Sequence, residues 1–464
     1  PPLEQAIFDP PGLARDLAPG PVQGRILAAI GVRRLLPAVE MEVETQILRL
    51  LDDEEKTLVR LAIEECRLSG KEPRRGLASR LSVTPLKGYE AEAQAVADWL
   101  GQDFALEPAL RPLLVEALAL GERPPGGYSS KLTYRLDPGQ RADEAARQIL
   151  LGLLDTVEAN IPGARENLDS EFLHDLRVAT RRTRAALAQI PGVLPPRVET
   201  EFRARFAWLQ QVTGPVRDLD VYLLDFDAYQ ASLPRSMQGD LEPLRSYLLS
   251  HYADEQRLLV EALSSVTMAD LVHRWRQVLI EPTPAEMAPA NADRPIKALA
   301  DERVWRMVRR VRKEGRAITA ESPPADMHEL RKSCKKLRYL MEFFQSLYPG
   351  QAIGGAIKLL KVLLDNLGTF QDLAVQAGHL QDMAARMQAQ GLAGTPALLA
   401  MGALVADLLR RQETAREAFA DTFRGFDSDR GRGLFRGLFH AGPAGGDAEA
   451  EPGTDSQLDP GDGT

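Results

Sequence analysis

His174-Asp-Leu-Arg177-Val-Ala-Thr-Arg181-Arg182-Thr-Arg184 and His328-Glu-Leu-Arg331-Lys332-Ser-Cys-Lys335-Lys336-Leu-Arg338 are two copies of one pattern. In each, a histidine is followed by basic residues three, seven, eight and ten positions on. The copies stand 154 residues apart (328 − 174). Downstream, Gly214-Pro-Val-Arg217-Asp218-Leu219 and Gly368-Thr-Phe-Gln371-Asp372-Leu373 repeat at the same offset (368 − 214). Two separated motifs that keep one spacing without a gap mark an internal duplication.

A helical wheel shows what each copy presents. At about 100° per residue, His174, Arg177, Arg181 and Arg184 share one face, with Arg182 on its flank. Leu173, Leu176, Thr180, Thr183 and Leu187 fall on the opposite side, the seam that packs into a bundle. The second copy repeats this with Leu330, Cys334, Leu337 and Met341 on the seam, so Cys334 is expected to be a small core residue. Each half therefore carries a basic ridge turned away from its own core. A duplicated pair commonly packs about a two-fold axis, an arrangement in which the two ridges line one groove or pore.

Outward from the repeat, residues 140–440 are helix-periodic almost throughout. The Pro/Ala-rich stretch 281–295 splits them into halves 140–280 and 296–440. Residues 122–139 contain Pro124-Pro125-Gly126-Gly127 and Asp137-Pro138-Gly139, punctuation expected of a linker. The tail 441–464 is Gly, Ala, Pro and acidic residues, a composition expected to be disordered. Residues 1–121 read as α/β. Val39–Ile47 alternates apolar residues with Glu40, Glu42, Glu44 and Gln46, the period of a half-buried strand. Further strands are expected over Lys56–Leu68 and Leu81–Leu86, with a turn at Asp52-Asp53 and helices over Glu90–Leu100 and Glu107–Leu120.

The 464 residues are 44% hydrophobic and 27% charged, with a net charge of −9. That balance argues against a protein that coats nucleic acid through an overall positive field, and it makes a local basic cluster more informative. No run reaches the eighteen apolar residues of a membrane helix, so no membrane partner is expected. Two cysteines, Cys66 and Cys334, make no disulfide framework and fit a reducing compartment. A cytoplasmic, granule-associated location is the expectation. The chain begins at Pro1, so an upstream segment is expected to precede it.

These motifs resemble the CHAD family, the conserved histidine α-helical domain, over roughly residues 140–440. The resemblance implies a mainly α fold of two four-helix bundles around a basic central channel that binds inorganic polyphosphate, without a cofactor. It places ligand-binding basic residues at Arg177, Arg181, Arg182, Arg184, Arg331, Lys332, Lys335, Lys336 and Arg338, and the eponymous histidines at His174 and His328. For the histidines, direct phosphate contact and a structural hydrogen bond stand as equal readings. Arg217 and Lys361 join as further candidates, Arg217 with the alternative of pairing with Asp218. Arginine suits phosphate because its planar fork donates two hydrogen bonds to one group, while lysine supplies a compact charge. A charge run is otherwise most often a solvated helix face. Here only Asp175 and Glu329 are expected to neutralise the ridges locally.

Residues 8–89 carry a fainter resemblance to the middle and end of a CYTH domain, the triphosphate tunnel barrel, on Arg33-Arg34, Lys56-Thr-Leu-Val-Arg60 and Gly88-Tyr89. Its Glu-x-Glu-x-Lys signature is missing, since Glu40-Met-Glu42-Val-Glu44 ends in Glu. Three strands cannot close an eight-stranded barrel, so this part is expected to be non-catalytic and Glu40, Glu42 and Glu44 to be the wet face of a strand. The remaining readings are a triphosphate or polyphosphate hydrolase, with the helical part presenting substrate, and a nucleic-acid binder. Tyr339 is the one aromatic on the basic face, against the stacking platforms that single-strand binders use.

Overall fold

The structure is a computed structural model that describes residues 12–69, 77–120, 129–281 and 289–440. Pro124–Gly127, residues 282–288 of the inter-half stretch and the acidic tail lie outside the described residues. The chain divides into two compact units: residues 1–131 with 162–173, and residues 132–161 with 174–464.

The first unit holds α1 (Pro21–Ile30), the strands β1 (Met41–Leu51), β2 (Thr57–Leu68) and β3 (Arg80–Pro85), then α2 (Glu90–Asp103) and α3 (Leu113–Leu120). The strands form one antiparallel sheet in the order β1-β2-β3. Asp52 makes the first turn. Its carboxylate accepts from the backbone N–H of Glu54 at 3.0 Å and of Lys56 at 2.8 Å, the local bonding that favours Asp at turns. Two expectations fail here. The helix expected from Glu107 begins only at Leu113, because Pro108 and Pro112 lack the N–H that a helix interior requires. The alternation in β1 does not correspond to a buried face, for Ile47 is 61% exposed and Val43 44%. β1 is an edge strand, and α2 packs on β2 and β3, so both faces of β1 are open and the glutamates are wet along with their neighbours.

The second unit is helical, with residues 162–165 at the end of α4 and 170–173 at the start of α5 counting with the first unit: α4 (Ala142–Arg165), α5 (Ser170–Gln189), α6 (Pro196–Val212), α7 (Gly214–Leu224), α8 (Phe226–Ser232), α9 (Glu242–Leu263) and α10 (Val266–Ile280) are followed by α11 (Ile296–Ala317), α12 (Pro324–Phe344), α13 (Gly350–Ala389), α14 (Thr395–Glu417), α15 (Phe419–Phe426) and α16 (Asp429–Phe439). The duplication is visible in the helix starts. Ala142 and Ile296, Ser170 and Pro324, and Pro196 and Gly350 are each 154 residues apart. One difference has a chemical cause. α13 runs for 40 residues without a break, whereas its counterpart stops at Thr213 and resumes as α7. Pro215 interrupts the hydrogen-bond ladder there, and Thr369 holds the equivalent place in α13.

Contacts between equivalent positions locate a pseudo-two-fold axis. Arg141 and Pro295, repeat mates, form an isolated antiparallel bridge. Around it the N–H of Ala142 donates to the carbonyl of Arg294 and the N–H of Ile296 to that of Gln140, both at 2.9 Å. Those two bonds exchange under the 154-residue offset, the signature of an isologous contact. The Tyr222 hydroxyl donates to the carbonyl of its own repeat mate, Gln376, at 3.5 Å. A shared core lies here: Tyr222, Phe226, Tyr229 and Tyr247 from the first half pack with Leu373, Leu380, Met401 and Leu404 from the second. The predicted seams are buried in both copies. Leu176, Thr180, Leu330, Cys334, Leu337 and Met341 have no exposed surface.

Candidate functional site

The α5 and α12 ridges meet in one cleft. A cavity of about 350 Å³ is lined by Arg181 and Arg184 of α5, Arg203 of α6, and Lys335, Lys336 and Tyr339 of α12, floored on the α5 side by Ala185 and Ala188. Cations from both halves line this one cavity. Arg181 and Arg184 are exposed, while Lys335 and Lys336 are half-buried.

The nine ridge cations divide by partner. Arg177 is half-buried at the α6–α7 break, where it donates to the Gln210 carbonyl at 2.8 Å and to Thr213 Oγ1 at 2.9 Å. Burial pushes its pKa down to about 10, with Arg181 and Arg217 adding repulsion and Asp218 opposing. Its repeat mate Arg331 pairs instead with Asp372 Oδ1 at 2.9 Å. The two guanidinium groups pack over the glycine of the following motif, lying 3.7 Å from a β-carbon placed at Gly214 and 3.8 Å from one at Gly368. This contact explains why the ridge motif and the glycine motif recur together: each arginine joins its helix to the next.

Arg182 and Arg338 are bound to a single carboxylate. Glu342 accepts from Arg182 across the halves at 3.0 Å and from Arg338 on its own helix at 2.7 Å. The side chains of Arg182 and Glu342 are only 15% and 13% exposed. Lys332 pairs with Glu329 at 2.9 Å. The expectation that only Asp175 and Glu329 neutralise the ridges is thus corrected, since Glu342 and Asp372 also do so. Both are distant from their partners' motif in sequence or lie one turn beyond it.

Four cations remain. Among the described residues no carboxylate comes within 4 Å of Arg181, Arg184, Lys335 or Lys336, and all four line the cleft. Lys335 shows the consequence: burial, Arg331 and Arg181 together push its pKa down to about 8, against weak attraction from Asp372. Like charges on desolvated groups disfavour the protonated form until an anion arrives.

His328 has a structural bond. Its Nδ1 lies 3.0 Å from Gln371 Oε1, which requires a proton on Nδ1 and ties α12 to the Gly-x-x-Gln-Asp motif. His174 is half-buried at the matching place. Arg217, the repeat mate of Gln371, lies 3.9 Å from Asp220 rather than pairing with Asp218. Lys361 is exposed on α13 and does not line the cleft. Arg203 does, and the repeat reading missed it because it stands on α6, outside both motifs; only its place two turns from the α6 start, facing α5, would have suggested it.

Fold and site define a duplicated helical domain with a basic cleft between its repeats. The chain belongs to the CHAD family: the CHAD domain model matches residues 148–381, just over half of the chain. Among solved structures, the CHAD domain from the plant Ricinus communis is 23% identical with a TM-score of 0.52, the match covering 64% of this chain and 97% of that one. PptA from Streptomyces chartreusis is 20% identical with a TM-score of 0.46, over 61% of this chain and 99% of that one. No curated protein matches the chain.

Proposed function

We propose that this protein binds inorganic polyphosphate non-catalytically in the cleft between its repeats. The observation that supports this is the set of four cations without carboxylate partners, Arg181, Arg184, Lys335 and Lys336, gathered from both halves into one cavity. A linear chain of phosphates offers roughly one charge per unit and no base or sugar to read, which matches a cleft rich in donors. Tyr339 is the single aromatic at the cleft and is stacked on Phe343 at 6.4 Å, so little is offered to a nucleobase. No helix among the described residues is long and apolar enough to cross a membrane. Binding of this kind would place the protein in the cytoplasm, on polyphosphate granules where these form.

The test is a competition titration on the full chain with labelled long-chain polyphosphate. Unlabelled polyphosphate is expected to displace it well, single-stranded DNA poorly and orthophosphate hardly at all. Each neutralised phosphate releases counterions, so four free cations predict a slope of about −3 in log affinity against log salt. Equal affinity for orthophosphate and a long chain would refute the multi-site cleft. Release of phosphate from triphosphate with magnesium or manganese would favour the hydrolase reading instead.

A further inference from the structure

A second cationic face lies along α11 and α16, away from the cleft lining. The two helices run antiparallel. At one end Trp305 stacks on His440, with ring centroids 4.9 Å apart and planes 4° from parallel. At the other, Asp427 accepts from Arg312 at 2.6 Å and from Arg316 at 2.7 Å. Helical spacing from these anchors sets Arg309 and Lys313 on the same flank of α11, and Arg432 and Arg436 on the facing flank of α16. Six cations thus border one seam. Asp427 serves Arg312 and Arg316, with Arg432 3.9 Å away, and Asp429 pairs with Arg432. Arg309, Lys313 and Arg436 are exposed, and among the described residues none has a carboxylate within 4 Å.

The duplication supplies an internal comparison. The positions of Arg309, Arg312 and Lys313 are held in the first half by Asp155, Glu158 and Ala159. There the corner has the opposite polarity, one arginine, Arg276, lying between Asp155 and Glu158. Packing of this corner is therefore met by a single ion-paired cluster of either sign. The three unpaired cations of the second half are in excess of what packing uses, and an acidic protein has no general need of them.

We propose that the α11–α16 seam is a second polyanion-binding track that takes a phosphate chain. Trp305 already has one face covered by His440, which reduces the stacking surface the seam offers and favours phosphate groups over nucleobases. The identity of the polymer rests on the reading of the cleft; the existence of the track does not.

The experiment uses the full chain and long-chain polyphosphate at low salt. A cleft variant, R181A/R184A/K335A/K336A, is expected to keep weak, salt-sensitive binding. Adding R309A/K313A/R436A should lower that residual affinity at least tenfold and reduce the salt slope by about 2. A charge-matched control, R197A/R235A/R386A, removes three exposed arginines elsewhere and should change the residual affinity less than threefold. Residual binding that ignores the seam substitutions, or that falls equally with the control, would overturn the track. A cleft variant that binds like the unaltered protein would refute the cleft reading instead and leave the seam to its own comparison with the control. Circular dichroism on each variant confirms that the helices are retained.

Discussion

Lys335 is the residue whose chemistry is most exposed to measurement. Arg331 on its own helix and Arg181 on α5 face it, and Asp372 on α13 offers the nearby negative charge. With a pKa of about 8 in the free protein, it is partly neutral in mildly alkaline solution, and a bound phosphate would restore the proton. Polyphosphate affinity should fall as pH rises from 7 to 9, steepening above 8, with proton uptake on binding detectable by calorimetry in buffers of different ionisation heat. Lys335→Arg should flatten that dependence, since arginine stays charged. The sign for stability is opposite. A lysine whose folded pKa is depressed destabilises the free protein while it is charged, so its contribution improves as pH rises from about 8 toward the unfolded value. Glu342 is the contrasting case, a carboxylate that holds Arg182 and Arg338 rather than repelling ligand. Glu342→Ala would take from Arg182, charged and mostly buried, the carboxylate 3.0 Å away. A loss of about 3 kcal/mol is expected, read by chemical denaturation, and a loss under 1 kcal/mol would show the pair to be dispensable.

At the scale of elements, the ridge helices α5 and α12 were legible because one sequence pattern specified both faces at once. The buried seam follows from Leu and Thr or Cys at helical spacing, and the cationic face from what stands opposite. Substituting the seam should therefore separate from substituting the ridge. Leu337→Asp places a carboxylate at a site with no exposed surface, where a buried charge costs several kcal/mol. The helical signal should melt at least 10 °C lower, whereas Arg181→Ala with Arg184→Ala should leave melting within about 2 °C. Partner choice was not legible from the same pattern. Equivalent arginines bond a backbone carbonyl at Gln210 in one half and a carboxylate at Asp372 in the other, because Pro215 breaks one helix and nothing breaks α13. The strand β1 failed for a related reason: alternation reports which side chains share a face, not whether any layer covers that face. α2 covers β2 and β3 but not β1, and no local pattern in 41–51 encodes that.

At the scale of the whole second unit, the duplication accounts for the site as well as the fold. A two-fold contact at Arg141 and Pro295 and a shared core around Tyr222 hold the halves so that α5 and α12 face one cavity, and the four ridge cations left without carboxylates all line it. The halves have since diverged, in the break at Pro215 and in the polarity of the α4–α10 and α11–α16 corners, so the symmetry of the backbone no longer guarantees symmetry of charge. One consequence is sharp. If the cleft is a single site, removing charge from either half weakens the same binding event. Arg181→Ala with Arg184→Ala, and separately Lys335→Ala with Lys336→Ala, should each lower the affinity for a short polyphosphate about thirtyfold, taking roughly 1 kcal/mol per partly solvated contact. Stoichiometry in both titrations should stay at that of the unaltered protein. Because the four side chains share one field, the combined variant should lose less than the product of the two separate losses, the non-additivity expected of neighbours. Two independent half-sites would give another result: each double variant would halve the stoichiometry and leave the remaining affinity intact, and the effects would combine without coupling.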